Sequence, residues 1–90
     1  MPTINFPYYI QNRLPENACV VNAGIFVEVM QKLCADYPSI IHYIFQDINN
    51  NVLANSTIFY VNGVDMRTLE PNYVVTENDV IEIEPAIVGG

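Results

Sequence analysis

The chain has 90 residues, 51% of them hydrophobic and 14% charged, with a formal net charge of −7. This much hydrophobic content argues against disorder despite the charge, and the length suits one small domain with a modest core. Arg13, Lys32 and Arg67 are the only basic residues, too few to neutralise a track of phosphates, which excludes a nucleic-acid-binding role; no apolar run reaches the length of a membrane span.

In chain order, Thr3 to Ile10 alternates so that Ile4, Phe6, Tyr8 and Ile10 share one face of a strand. Pro7 has no N–H, so that strand needs an unpaired side or a bulge there. Arg13 to Asn17, with Pro15, reads as a turn, and Ala18 to Val21 as the returning strand of a hairpin. Asn22 suits a helix N-cap. From about Gly24 to Asp36, the residues Phe26, Val29, Met30, Leu33 and Tyr37 recur at helical spacing, the pattern of an amphipathic helix facing a core. Pro38 stops that helix. Ser39 to Phe45 reads as a shorter helical turn, with Ile40, Ile41, Ile44 and Phe45 turned inward and His42 outward. Gln46 to Asn55, with three consecutive asparagines, has loop composition.

Thr57 to Val61 is β-branched and aromatic, a strand. Asn62-Gly63 signals a tight hairpin turn, since both residues tolerate positive φ. Val64 to Leu69 returns briefly, Pro71 to Thr76 reads as an irregular crossing, and Glu77-Asn78-Asp79 as a turn. Val80 to Glu84 is the last strand, with Ile81 and Ile83 facing in and Glu82 and Glu84 facing out. Pro85 ends it, and residues 86–90 form a flexible tail. Strands interrupted by one main helix predict a single α+β domain over residues 1–90, the helix packed on one face of the sheet.

Few residues suggest chemistry. Cys19 and Cys34 lie in apolar stretches and read as reduced core residues rather than a disulfide scaffold. With one histidine, His42, and no Cys-x-x-Cys, the usual transition-metal ligands are lacking, so no metal site is expected. There is no Gly-rich phosphate loop and no Ser/His/Asp set. Beyond residue 64 the acids are Asp65, Glu70, Glu77, Asp79, Glu82 and Glu84, against Arg67 alone. Such a surface suits a partner with a basic docking face, or serves solubility. The N-terminus has no basic segment followed by an apolar one, so a cytoplasmic protein is expected.

The segments Ile58-Phe59-Tyr60-Val61-Asn62-Gly63, Asp65-Met66-Arg67 and Glu77-Asn78-Asp79-Val80-Ile81-Glu82-Ile83-Glu84-Pro85-Ala86-Ile87-Val88-Gly89-Gly90 resemble the MoaD/ThiS sulfur-carrier family. The shared terminal pattern is an acidic turn, an apolar strand, a proline, a few small or apolar residues and Gly-Gly. Asn78 departs from it where glycine is common, a position whose left-handed backbone asparagine tolerates. The match is strong over residues 57–90, whereas over 3–45 mainly the order of elements agrees.

The resemblance implies a ubiquitin-like β-grasp fold, a mixed sheet around one main helix. It also implies that an E1-like activating enzyme uses ATP to adenylate the carboxylate of Gly90. That carboxylate then becomes a thiocarboxylate and donates its sulfur, while the chain binds no cofactor and has no catalytic residues of its own. Gly89, Val88 and Ile87 would thread into the partner's active site, where glycine avoids side-chain clashes. Asp79, Glu82 and Phe59 are the candidate docking residues. Ile4-Asn5-Phe6-Pro7 and Asn62-Gly63-x-Asp65-x-Arg67 look closer to carriers serving cysteine or related amino-acid synthesis. The sulfur acceptor would then be an amino-acid synthase, with the large subunit of molybdopterin synthase as the alternative. A ubiquitin-like protein modifier and a non-catalytic interaction module are the readings of another class. Lys32, the only lysine, gives a chain-building modifier just one internal attachment point.

Overall fold

A computed structural model of the chain describes residues 1–7, 14, 16–70 and 72–86. Strand β1 (Thr3–Asn5) pairs antiparallel with β2 (Ala18–Val20), forming the expected hairpin with Ile4 opposite Cys19. Tyr8 and Ile10 lie outside the described residues. Ile4 and Phe6 are both buried, but the strand ends before Pro7, which can donate no ladder hydrogen bond.

The main helix α1 spans Phe26–Asp36 and buries Phe26, Val29, Met30, Leu33 and Cys34; Tyr37 packs against that cluster from its edge. Asn22 is not its cap. The capping position belongs to Ile25, whose side chain makes no capping bond. Gly24–Ile25 forms a short strand, β3, and the Phe26 N–H donates to the Tyr73 carbonyl at 2.9 Å. A backbone acceptor from across the fold thus does what a side-chain cap would do. The α2 helix (Ile41–Ile44) follows a 3-10 turn at Pro38–Ile40, burying Ile40 and Ile44 while His42 stays exposed.

Residues 46–55 contain more than a loop. Strands β4 (Phe45–Asp47) and β5 (Val52–Leu53) pair antiparallel around a 3-10 turn at Ile48–Asn50. The Asp47 carboxylate accepts from the Asn49 and Asn50 amides at 3.1 and 3.3 Å, and Asn51 takes φ 59°. The asparagines therefore make a turn within a hairpin, their side chains and left-handed tolerance replacing glycine. Strand β6 (Thr57–Val61) runs through Asn62 (φ 52°) and Gly63 (φ 82°) into β7 (Val64–Asp65), the expected tight hairpin. The crossing segment also holds a strand, β8 (Val74–Val75), antiparallel to β3.

Strand β9 (Val80–Pro85) occupies the middle of the sheet, parallel to β1 and antiparallel to β6, in the order β2-β1-β9-β6-β7. Ile81 and Ile83 are buried on the face toward α1, together with Ile4, Phe59 and Val61. Phe26 meets Phe59 edge-to-face at 5.7 Å between ring centroids. The result is a mixed sheet with one main helix on one face. No helix of the described residues is long and apolar enough to cross a membrane.

Candidate functional site: the end of the last strand

The residues expected to react follow β9, so the end of that strand is where the fold delivers them. Pro85 lies opposite Thr57, and one residue later the Ala86 N–H donates to the Ser56 carbonyl at 2.9 Å. The ladder thus fastens the chain up to Ala86. Ile87, Val88, Gly89 and Gly90 lie outside the described residues. Strand β9 is flanked on both sides as far as Glu82, where its pairing with β1 stops, and from there to Pro85 it is held by β6 alone.

On the sheet face away from α1, Glu82 lies opposite Tyr60 and Glu84 opposite Ile58. Glu84 is exposed; Glu82, Tyr60 and Ile58 are half-buried. This acidic face with an apolar margin leads directly to the strand's end. Glu82 is a candidate docking residue already visible in the alternation of the strand. Ile58, Tyr60 and Glu84 join it through the register; the alternation of Val80 to Glu84 already turned Glu84 outward, and that of Thr57 to Val61 was the signal that could have found Ile58 and Tyr60.

Two other candidate docking residues are placed elsewhere. Phe59 points to the opposite face, is 4% exposed and packs on Phe26, so it adds nothing to this acidic face; the little surface it keeps lines a cleft on the other side. Asp79 is 6% exposed and is a structural group. Its Oδ1 accepts from Asn62 Nδ2 at 2.8 Å, and its Oδ2 accepts from the Tyr73 hydroxyl at 3.0 Å and the Thr76 amide at 2.8 Å. Asn62 Oδ1 in turn accepts from the Val80 amide at 2.9 Å, and the Asp79 carbonyl accepts from Thr3 N–H at 3.1 Å. One carboxylate therefore joins the 77–79 turn, the β6–β7 turn and the crossing segment at the start of β9. Burial works against its charge, but the hydrogen bonds from Thr76, Asn62 and Tyr73 outweigh it and hold the carboxyl below its ordinary pKa. Asn78, in the same turn, does not adopt positive φ, so the turn does not need glycine there.

A cleft of about 500 Å³ opens beside the strand's end, between the start of α1, the β5–β6 connection and the segment after β7. Phe26, Val27, Leu53, Met66 and Leu69 give it apolar walls, and Arg67 is its cation. The Arg67 guanidinium grips Asp65 through Nε and Nη2, at 2.6 Å from Nη2 to Oδ2, and this hydrogen bonding holds Asp65 below its ordinary pKa. Sequence reading had no signal for this cleft, which is assembled from segments far apart in the chain.

The thiols are poor nucleophiles. Burial pushes Cys34 up to about 11, and burial followed by the charges of Glu16 and Asp36 pushes Cys19 up to about 11. Among the described residues, no three His, Cys, Asp or Glu side chains gather as a metal site.

No protein-family model matches the chain, and no curated protein matches it. Solved structures do. The small archaeal modifier protein 1 (SAMP1) of Methanosarcina acetivorans superposes with a TM-score of 0.82 at 20% identity, over 99% of this chain and 95% of that one. A chain of the Amycolatopsis orientalis BexX/CysO complex gives 0.82 at 20% identity, over 100% of both chains. Urm1 of Sulfolobus solfataricus gives 0.75 at 26% identity, over 94% of this chain and 100% of that one. The chain has the ubiquitin-like β-grasp fold. That is the fold which the resemblance to the MoaD/ThiS carriers implied.

Proposed function

We propose that this β-grasp chain is a sulfur carrier whose reactive group is the carboxylate of Gly90. Adenylation by a partner enzyme with ATP makes the carboxyl carbon attackable; a sulfide equivalent then displaces AMP and leaves a thiocarboxylate. That sulfur is soft, ionised at neutral pH and nucleophilic, as a thiolate is. In this reading the chain is a co-substrate. Adenylation and sulfur acceptance are the work of two partners, an E1-like activating enzyme and an acceptor enzyme of cysteine or related amino-acid synthesis. The likeness to a chain of the BexX/CysO complex supports that choice of pathway over molybdopterin synthesis.

The observation that carries the reading is the fastening of Ala86 to Ser56 at the end of the central strand. A carrier must present its terminus at a fixed distance from a rigid body, so that a partner can grip the body and reach the reactive carbon. Ile87, Val88, Gly89 and Gly90 follow that anchor directly, and Glu82 and Glu84 give a partner a charged surface to read beside it.

The test is the intact mass of the protein after incubation with an activating enzyme, ATP and a sulfide source. The expected result is a gain equal to one oxygen replaced by sulfur, lost when Gly89 and Gly90 are deleted while the unfolding midpoint stays unchanged. A folded protein with a free Gly90 carboxylate that gains no mass with any activating enzyme of its own cell would overturn the reading. The likeness to SAMP1 favours a second one, a protein modifier. Gly-Gly remnants on lysines of other cell proteins, dependent on Gly90, would establish it.

A further inference from the structure

Any enzyme that receives the residues after Ala86 has to approach Ser56, and the neighbours of Ser56 on both sides, Asn55 and Thr57, line the apolar cleft. The cleft and the acidic sheet face thus flank the strand's end from different sides, and only the sheet face was legible as a docking surface. Resting on the carrier reading, we infer that the cleft is a second docking site for the activating enzyme and receives an apolar side chain of that enzyme lying next to a carboxylate.

Four observations fit that occupant. The cleft is large enough for a Leu, Met or Phe side chain, and its walls are the side chains of Phe26, Val27, Leu53, Met66 and Leu69. Burying an apolar anchor in such a pocket is how a few residues supply most of an interface's affinity. The cation at the cleft is Arg67, already paired with Asp65, so a partner's carboxylate would share the guanidinium with Asp65. Arg67 gives only Nε and Nη2 to Asp65, and its guanidinium has five N–H donors, leaving donors for a partner's oxygen. The Arg67 side chain is 73% exposed and within reach of an approaching protein.

Two variants test the site without cutting into the core. Arg67→Glu reverses the charge, and Val27→Trp fills the cleft from its half-buried helical wall. The assay is the ATP-dependent mass gain of the full chain with the activating enzyme of its own cell, measured against carrier concentration, with unfolding midpoints recorded for each variant. The expected result is a KM for the carrier raised about tenfold or more in both folded variants, with kcat unchanged, because docking precedes the chemistry. A wild-type KM in folded Arg67→Glu and Val27→Trp would overturn the cleft assignment and leave the carrier reading standing. A wild-type protein that gains no mass would overturn the carrier reading and the cleft assignment with it.

Discussion

Replacing Asp79 with asparagine would put an amide where three donors now converge on a carboxylate. One NH₂ group would then face a donor, and the charge that strengthens these bonds would be lost. The expected cost is about 1.5–3 kcal/mol, read as a lowered denaturant midpoint. The pH dependence has a definite sign. Asp79 has a lower pKa folded than unfolded, so its contribution is complete above the unfolded value of about 3.9 and is lost as pH falls through the folded value. Acid unfolding of the wild type should therefore show a component below about pH 4 that Asp79→Asn lacks. A variant with the same acid limb would assign that limb to other carboxylates. Gly63, at φ 82°, has open space where a Cβ would go, so Gly63→Ala tests backbone strain alone, at an expected cost of about 1–2 kcal/mol. Both residues lie in turns whose composition announced a turn. Nothing in the order of residues showed that Asp79 would be drawn inward by Tyr73 and Asn62, and an aspartate in an acidic segment was accordingly read as surface.

At the scale of elements, the helix and the strand alternation were legible because each has a period that repeats along the chain. Phe26, Val29, Met30 and Leu33 fall on one helical stripe, and Ile81 and Ile83 on one strand face. Leu33 is 1% exposed at the centre of the cluster, so Leu33→Ala should cost about 2–5 kcal/mol in unfolding free energy. A negligible change in midpoint would mean that the stripe does not bear on the core. The short pairs β3–β8 and β4–β5 were not legible. Gly24–Ile25 and Val74–Val75 are too brief to show a period, and each is a strand only because the other lies beside it. The helix start was misplaced for the same reason: Asn22 has the chemistry of a cap, but the Tyr73 carbonyl, distant in sequence, supplies the acceptor.

At the scale of the molecule, the acidic face runs to the end of β9, from which the proposed reactive residues continue. Reversing Glu82 and Glu84 to lysine should weaken binding of an activating enzyme and flatten its dependence on salt, with little effect on folding because Glu84 is exposed and Glu82 half-buried. Unchanged affinity in a binding titration would remove the sheet face from the interface. What the sequence determined by itself is local: the hairpin, the helical stripe, the Asn62-Gly63 turn and the Gly-Gly ending after a strand and a proline. These depend on neighbours in the chain and on propensities that act over a few residues. Only the tertiary structure decided that Phe59 faces the helix, that Asp79 is a buried junction, and that a cleft lies beside the end of β9. Those outcomes depend on strand order and register, which bring distant segments to within a hydrogen bond of one another and are written in no single stretch of the chain.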